Sequence, residues 1–323
     1  RVRSSAASDV YKRQYKEFVI MNIPDNFLQG EVRDGFYVEN MMKRAWAAQM
    51  EVLKDVDVFC KKHNITYYAE WGTLLGAIRH KGFIPWDDDI DISMKREDYN
   101  KFCILASKEM EGYDIINNST RPWWDEIFSR IIYGDVVRTD KEYLDKFHGF
   151  PYVVGLDIFP LDYVSLTSEE SKLQSDIIGI ILAFANNIGK NIATKEEIES
   201  TRKQIEEICA IKFKEDEELV TQLYDLAEKL CMIGDPESSD SLVFMCDYAV
   251  HHKLKPFPKE CYDETIEVPF EYMSIPIPKG YDKILRIEYG DNYMQPILSH
   301  DEHEYPFYNK QKRELYAQHG IEI

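Results

Sequence analysis

The chain has 323 residues, enough to bury a sizeable core in one large domain or two ordinary ones. Its composition, 44% hydrophobic and 13% aromatic, is that of a folded globular protein. The formal net charge of −19 argues against a nucleic-acid partner, since such a protein needs a basic patch that neutralises phosphates.

Compartment signals favour the cytoplasm. The six cysteines are scattered without a C-x-x-C pair, which argues against a zinc ribbon or a disulfide scaffold. The longest apolar run, residues 177–185, is about half of the roughly 20 residues that span a bilayer, and no signal-peptide pattern opens the chain. Residues 1–14 are similar to a translated sequencing adapter, so we expect a non-native disordered tail there.

The first predicted elements lead into an acidic motif. From Asn40 to Asn64 apolar residues recur at helical spacing, and the final asparagine suits a helix C-cap. A short β-branched and aromatic run follows, then a corner at Gly72 and Thr73 and an apolar helical turn. The stretch DIDISM, residues 89–94, is predicted to be a strand with aspartates on one face and isoleucines on the other.

A second acid-bearing strand is predicted further along the chain. It follows a helix at residues 96–110 and two short strands at 113–118 and 127–135. The apolar run 153–164 carries Asp157 and reads as a buried strand that Pro160 stops.

The remaining chain divides by composition. Residues 15–166 hold the motifs and are predicted to be the catalytic core. Residues 167–240 are rich in Glu and Lys at helical periods and indicate a helical insert. Residues 241–323 are expected to pack on the core.

The aspartates point to a divalent cation. An ionised carboxylate in a core strand is costly unless it is paired or binds a metal. Neighbouring residues on one face of a strand lie about 6–7 Å apart, so Asp89 and Asp91 can converge on one or two hard cations, which prefer oxygen ligands. Mg²⁺ or Mn²⁺ is therefore expected.

The Gly72–Thr73 corner suits a phosphate. A glycine allows close approach of the backbone, while the threonine hydroxyl and the N–H groups of a helix start can donate hydrogen bonds. A Gly-Thr corner, a D-x-D strand and a later strand-borne acid together form the pattern of nucleotidyltransferase-type sites.

The run WGTLLGAIRHKGFIPWDDDIDISMKREDY, followed by LDIFPLD, resembles the LicD family of phosphocholine transferases, which includes the fukutin-related proteins. The resemblance is strongest over residues 65–163, and the tail motif YDKILRIEYGDNYMQP is also similar. It implies an α+β fold with a nucleotidyltransferase-like mixed sheet flanked by helices, here with a helical insert.

The resemblance also implies an activity: transfer of a phospho-substituent from a CDP-linked donor, CDP-choline most often, to a sugar hydroxyl of a cell-surface glycan precursor such as lipopolysaccharide or teichoic acid. Asp89 and Asp91 would be metal ligands, and Gly72 with Thr73 would contact phosphate. Asp157 would complete the metal shell or accept the proton of the attacking hydroxyl.

Two further sets of residues are candidates for substrate binding. Arg79, His80 and Lys81 would add positive charge near the diphosphate, or form an exposed basic turn. A quaternary ammonium headgroup is held by aromatic faces, and four of the five tryptophans lie near the motif: Trp71, Trp86, Trp123 and Trp124.

Alternative functions remain open at this level. A nucleotidyltransferase would share the fold but attack an NTP and release pyrophosphate, and a glycan- or choline-binding module would keep the fold without catalysis. A lipid-linked acceptor would bring the chain to the inner face of the membrane without a transmembrane segment. The histidine pairs at 251–252 and 300–303 are weak metal candidates.

Overall fold

The computed structural model describes residues 20–122, 124–165, 168–250, 255–297 and 305–318. The expected tail at 1–14, Trp123 and the histidine pairs at 251–252 and 300–303 lie outside the described residues.

Helices and strands alternate along the chain. The helices are α1 Asn40–His63, α2 Trp71–Arg79, α3 Arg96–Glu109, α4 Lys141–Lys146, α5 Glu169–Gly189, α6 Lys195–Ile208, α7 Leu219–Cys231, α8 Tyr281–Tyr289 and α9 Asn309–Gln318. The strands are β1 Glu31–Arg33, β2 Phe36–Val38, β3 Tyr68–Ala69, β4 Asp91–Lys95, β5 Tyr113–Ile116, β6 Ser129–Tyr133, β7 Gly155–Val164, β8 Ser241–Phe244, β9 Phe257–Pro258, β10 Thr265–Phe270 and β11 Met273–Pro278.

A mixed sheet of seven strands forms the centre of the molecule. The order β3-β4-β7-β6-β5 runs across it, and β8 and β9 continue from the second half of β7. β4 and β7 are parallel, and the other pairs are antiparallel. The predicted α+β fold with a mixed sheet flanked by helices is confirmed.

Helix α1 behaves as its periodicity predicts. Its apolar face is buried, with Met42, Trp46, Met50 and Leu53 inaccessible to solvent. Asn64 takes the left-handed conformation that ends the helix, and its N–H donates to carbonyls of the last turn. Helix α1 also packs against β7 of the central sheet.

Two predicted strand boundaries are corrected. The D-x-D strand begins at Asp91, so Asp89 lies just before it. The expectation that Pro160 stops its strand is wrong, because β7 runs on to Val164. Pairing with β6 ends at Ile158 and pairing with β8 begins at Leu161, so Pro160 falls between two neighbours, where a missing N–H costs no ladder hydrogen bond.

Residues 168–240 contribute three helices with a buried cluster of their own. Ile178, Ile181, Leu223 and Ala227 from α5 and α7 pack there with Val243 of β8. A buried ion pair joins these helices to the sheet, since Arg96 of α3 contacts both Asp162 of β7 and Glu228 of α7. The boundaries of the insert remain a prediction.

Two features bear on the expected compartment. All six cysteines are free thiols. Within the described residues, the helices are too short or too polar to cross a bilayer.

Candidate active site

Asp91 and Asp157 stand side by side on the central sheet. They are register partners in the parallel ladder between β4 and β7, so both side chains project from the same face. The ladder continues one residue further, because the Asp157 N–H donates to the Ile90 carbonyl at 3.3 Å. Ile90 and Ile92 are fully buried on the opposite face, and Asp89, Asp91 and Asp157 are half-buried. The sheet therefore brings the two predicted acid strands together.

Arg130 of β6 is the cationic partner of this group. It lies opposite Asp157 in the antiparallel register, and its guanidinium donates to both carboxylate oxygens, with Nη2 2.6 Å from Oδ2. Burial lowers the pKa of Arg130, but attraction to Asp157 and these hydrogen bonds outweigh it and hold the pKa above the usual arginine range. Arg130 therefore stays charged and fixes the orientation of Asp157.

The residues before β4 supply more carboxylates. Asp87, Asp88 and Asp89 each offer a carboxylate oxygen, and these atoms lie within 4.8 Å of one another. Asp88 is fully buried, and its Oδ2 accepts a hydrogen bond from the Phe307 N–H of the C-terminal segment. Oxygen donors at this density suit Mg²⁺ or Mn²⁺ better than softer metals.

Charge repulsion is strong at Asp91. Burial, followed by the negative charges of Asp89, Asp157 and Asp87, raises the pKa of Asp91 well above its ordinary value, while Arg130 acts in the opposite direction. One arginine offsets only part of the negative charge of four aspartates. A bound divalent cation would offset more of it.

The Gly72–Thr73 corner lies against these acids, but both residues already have partners. A Cβ on Gly72 would lie 2.2 Å from Asp87 Oδ2, so a larger residue here would displace that carboxylate. The Thr73 hydroxyl accepts a hydrogen bond from the Asp91 N–H at 2.9 Å, which ties α2 to the start of β4. Their predicted contact with phosphate remains a prediction.

Trp71 begins α2 in an unusual backbone conformation. Its φ of 41° lies in the left-handed region, which costs a bulky residue about 1–3 kcal/mol and is commonest at functional sites. Its ring packs against Phe159 at 4.4 Å and Phe244 at 4.3 Å, on the same face of the sheet as Asp157. Trp71 thus begins an aromatic surface beside the acids.

The basic run after α2 makes protein contacts. Arg79 Nη1 donates to the carbonyl of Tyr293 at 3.0 Å, and His80 Nε2 lies 3.1 Å from Asp34 Oδ2. Lys81 is exposed, and its carbonyl accepts from the Glu271 N–H. Arg79 therefore contacts the C-terminal part of the chain. The predicted contacts of Arg79, His80 and Lys81 with the substrate remain predictions.

A cavity of about 1110 Å³ opens beside the acids. Its lining includes the charged residues Asp89, Asp157 and Arg130, the ring of Trp124, and residues from one face of α9. Trp124 donates its indole N–H to the Phe128 carbonyl and lies 5.5 Å from the Arg130 guanidinium. Trp86 instead packs against Phe36 and His80.

Sequence reasoning missed Arg130 and the α9 wall. Arg130 is one arginine in a short strand, and only its register with β7 shows what it binds. The segment before α9 docks through the Phe307 N–H on Asp88, the Tyr308 hydroxyl on Glu39, and stacking of Tyr308 on Tyr152 at 5.1 Å. Its aromatic residues were a signal for burial, but not for the place where it packs.

This arrangement coincides with a known domain. A family model described as LicD/FKTN/FKRP, nucleotidyltransferase domain, matches residues 64–166, which include all three aspartates and Arg130. Residues 64–166 form a LicD-family domain. The resemblance expected from the sequence is confirmed.

Three relatives are similar to parts of the chain. The chain is 53% identical over 64 residues to "Lipopolysaccharide cholinephosphotransferase LicD" of Haemophilus influenzae, covering 19% of this chain and 24% of that protein. It is 46% identical over 69 residues to an uncharacterized protein of Rickettsia typhi, covering 21% and 22%. With an uncharacterized protein of Rickettsia prowazekii it shares 34% identity over 140 residues, covering 40% and 50%.

The chain spans at most half the length of these relatives. The match to the family model ends at residue 166, so α9 lies outside it.

Proposed function

We propose that this protein is a metal-dependent phosphotransferase that moves phosphocholine, or a similar phospho-substituent, from a CDP-linked donor to a sugar hydroxyl of a cell-surface glycan precursor. The observation that carries the proposal is the register pairing of Asp91 with Asp157, beside Asp89, inside the LicD-family domain. The name of the Haemophilus influenzae relative supports a choline-phosphate substrate and a lipopolysaccharide acceptor.

The residues present fit a divalent cation. Asp89 and Asp91 would hold it, with Asp157 adjacent, since carboxylates are hard oxygen ligands. Asp91 and Asp157 project from one face of the sheet, and a carboxylate oxygen of Asp89 lies within 4.8 Å of those of Asp87 and Asp88. When bound, Mg²⁺ or Mn²⁺ neutralises charge on the donor diphosphate and on the departing CMP.

The chain itself supplies position and charge. Phosphoryl transfer needs in-line alignment more than covalent help from the protein. Arg130 orients Asp157 through both carboxylate oxygens, so an Asp157 oxygen is held steady toward the attacking hydroxyl. Each carboxylate oxygen has more than one lone pair. Asp157 can therefore accept the proton of the hydroxyl, or bind a metal ion, while it is hydrogen-bonded to Arg130.

Aromatic rings near the acids support a cationic headgroup. Trp71, Phe159 and Phe128 pack in series on the face that carries Asp157, with centroids of successive rings 4.4 Å apart. Trp71 and Phe128 are half-buried and expose part of this aromatic surface, while Phe159 is buried between them. A quaternary ammonium binds such faces by cation–π attraction. The headgroup would lie on this surface while the diphosphate faces the carboxylates.

The decisive experiment is a calorimetric titration of the full chain with CDP-choline, CDP-ethanolamine, CDP-ribitol, CTP and UDP-glucose, each with Mg²⁺ and with EDTA. We expect one CDP-linked compound to bind only with metal. CTP binding alone, with pyrophosphate released during turnover, would instead identify a nucleotidyltransferase. Binding of a glycan or of choline that EDTA does not affect, without turnover, would identify a binding module.

Substitutions locate the chemistry. Asp89→Asn and Asp91→Asn should each lower CMP release by about 100-fold or more, the scale of losing one group that stabilises developing charge. The matched control is Asp114→Asn on β5. Asp114 pairs with Arg121 at a distance of 3.5 Å, and it does not line the cavity beside the acids. Full activity in both site variants with an intact fold would contradict the proposal.

A further inference from the structure

The cavity between the acids and α9 has no role yet in the donor chemistry. Its volume of about 1110 Å³ is slightly above the roughly 300–1,000 Å³ typical of small-molecule sites. The aromatic surface at Trp71 and the corner at Gly72 lie outside its lining. Asp89, Asp157 and Arg130 belong to the lining, so a molecule in the cavity lies beside the acid group.

Polar groups in the lining suit a saccharide. Amide side chains enter from two walls, Gln49 from α1 and Gln311 with Gln318 from α9, and Trp124 provides a flat ring. Amides and carboxylates can donate to or accept from sugar hydroxyls, and binding sites combine a largely apolar lining with a few such groups.

Gln49 is the most informative of these residues. It is 2% exposed, and its Nε2 donates to the Asp88 carbonyl at 2.6 Å, which fixes the orientation of the amide. Within the described part of the chain, Gln49 Oε1 has no hydrogen-bond donor. A buried acceptor without a donor is unfavourable, and the residue that carries it is part of the cavity lining.

Helix α9 adds a positive charge. The face that lines the cavity consists of residues at helical spacing, Lys310, Gln311, Glu314, Leu315 and Gln318. Gln311 is held by Val153, whose N–H donates to Gln311 Oε1 at 2.8 Å, so the helix is fixed against the sheet edge. Among the described residues, no carboxylate lies within ion-pair distance of Lys310, which leaves its ammonium available to a ligand.

We propose that this cavity is the acceptor site, and that Lys310 recognises a negatively charged group on the acceptor saccharide, such as a phosphate or a carboxylate. The inference rests on the proposed phosphotransferase function. It assigns the wall that determines acceptor choice to α9, outside the LicD-family domain. In this proposal Lys310 selects the acceptor, whereas Asp89 and Asp157 belong to the reacting centre.

The test compares a neutral sugar with charged ones. Binding of glucose, glucose 6-phosphate and glucuronate to the full chain is measured by saturation-transfer NMR and calorimetry, in the presence of Mg²⁺. We expect the charged sugars to bind about tenfold more tightly than glucose, the scale of one charge-assisted hydrogen bond. Lys310→Ala should abolish that preference, and Lys310→Arg should retain most of it.

Lys312→Ala is the matched control. Lys312 is on the same helix, two residues on and so about 200° around the axis, and it does not line the cavity. Equal binding of all three sugars, absence of binding by any of them, or a preference that survives Lys310→Ala would overturn the inference.

A donor arm separates this inference from the proposed function. CDP-choline binding with Mg²⁺ should be the same in Lys310→Ala and in the unmodified chain, and glucose 6-phosphate should not compete with it. Loss of donor binding in Lys310→Ala, with competition by glucose 6-phosphate, would place the donor diphosphate at Lys310 and overturn the acceptor assignment. Failure of the unmodified chain to bind any CDP-linked compound would count against the proposed function, whatever the sugars do.

Discussion

Arg130 and Asp157 form a bidentate ion pair across the antiparallel strands β6 and β7. Arg130 Nε donates to Asp157 Oδ1, and Nη2 donates to Oδ2. A bidentate pair of this kind is stronger and more directional than a single hydrogen bond. Arg130 therefore gives the acid group both its countercharge and its geometry.

Replacing Arg130 should separate these two contributions. Arg130→Met removes one positive charge beside four aspartates, so Mn²⁺ should bind on the order of tenfold more tightly, because one charge a few ångströms away is worth more than 1 kcal/mol near a protein surface. Transfer should nevertheless fall, since Asp157 is no longer held. Mn²⁺ affinity is measured by electron paramagnetic resonance and transfer by CMP release.

The control for Arg130 is Arg138→Met, which removes an arginine that pairs through Nε alone with the exposed Asp140. Neither Mn²⁺ affinity nor transfer should change there. Weaker Mn²⁺ binding in Arg130→Met would mean that Arg130 supports the metal ligands rather than opposing the metal by its charge.

Part of this site was predictable from sequence. Asp91 and Asp157 each lie among apolar residues that predict buried strands, and a buried acid in two strands of one domain suggests a shared site. Arg130 was not predictable, because its role depends on which strand is the neighbour of β7 and in what register. A short strand such as β6 has the same local pattern in either arrangement.

Other differences have the same origin. Pro160 reads locally as a strand end, and only the change of partner strand from β6 to β8 shows why it is tolerated. Helix α9 is polar along much of its length and half-buried or exposed throughout, so its sequence does not tell where it packs. Long-range pairing, rather than local propensity, decided each of these features.

The close contact between Gly72 and Asp87 predicts a coupling between them. Gly72→Ala places a Cβ 2.2 Å from Asp87 Oδ2 and should lower the free energy of unfolding by about 1–3 kcal/mol, the usual cost of overpacking. In the double variant with Asp87→Ala the clash is gone, so the two effects should be non-additive by at least about 0.5 kcal/mol. Urea denaturation measures all four proteins of the cycle.

Gly189→Ala serves as the glycine control, because a Cβ there meets no atom within 4 Å. Its stability should change little or rise slightly, since alanine favours a helix by up to about 1 kcal/mol over glycine. Additive effects of Gly72→Ala and Asp87→Ala would show that some other strain determines the choice of glycine.

Glu70 predicts a pH dependence of stability. Its carboxylate is fully buried just before α2, and it accepts hydrogen bonds from the hydroxyls of Ser93 at 2.8 Å and Tyr262 at 3.1 Å. Burial raises the pKa of Glu70 to about 8, in spite of these hydrogen bonds. The folded state thus holds a proton that the unfolded state releases near pH 4.5, the ordinary value of the group.

The sign follows from proton linkage. Glu70 contributes most to stability below about pH 4.5, and that contribution is lost as pH rises toward 8, at up to about 1.4 kcal/mol per pH unit. Glu70→Gln keeps the shape without a titrating group, so its stability should decline less between pH 5 and pH 8. Urea midpoints in EDTA at four pH values measure the difference, with the unmodified chain alongside.

An identical pH slope in both proteins would mean that Glu70 stays ionised, with its charge met by a group other than these two hydroxyls. Glu109→Gln is the control, since this carboxylate is paired with Lys62 and His63 at the surface. Its pH slope should match that of the unmodified chain within error, because exposed pairs are worth little.

The buried pair of Arg96 with Asp162 predicts a large loss of stability when the arginine is removed. Arg96 Nε and Nη2 donate to Asp162 at 2.6 and 2.8 Å, and Nη1 donates to Glu228 of α7 at 2.8 Å. Arg96→Met leaves the buried Asp162 and the half-buried Glu228 without their cation, and breaking a buried pair costs about 3–5 kcal/mol. We expect a single urea transition with its midpoint at a lower urea concentration, and a free energy of unfolding that is lower by that amount.

A second variant separates the charge from the packing. In Arg96→Met with Asp162→Leu and Glu228→Leu, no buried charge is left without a partner, so most of the lost stability should return, as replacing a buried ion pair by apolar groups is often neutral. Two separate urea transitions in Arg96→Met would show that this arginine is what joins insert and sheet. A loss as large in the triple variant as in Arg96→Met would instead assign its effect to packing against Tyr99, whose ring lies 5.1 Å from the guanidinium.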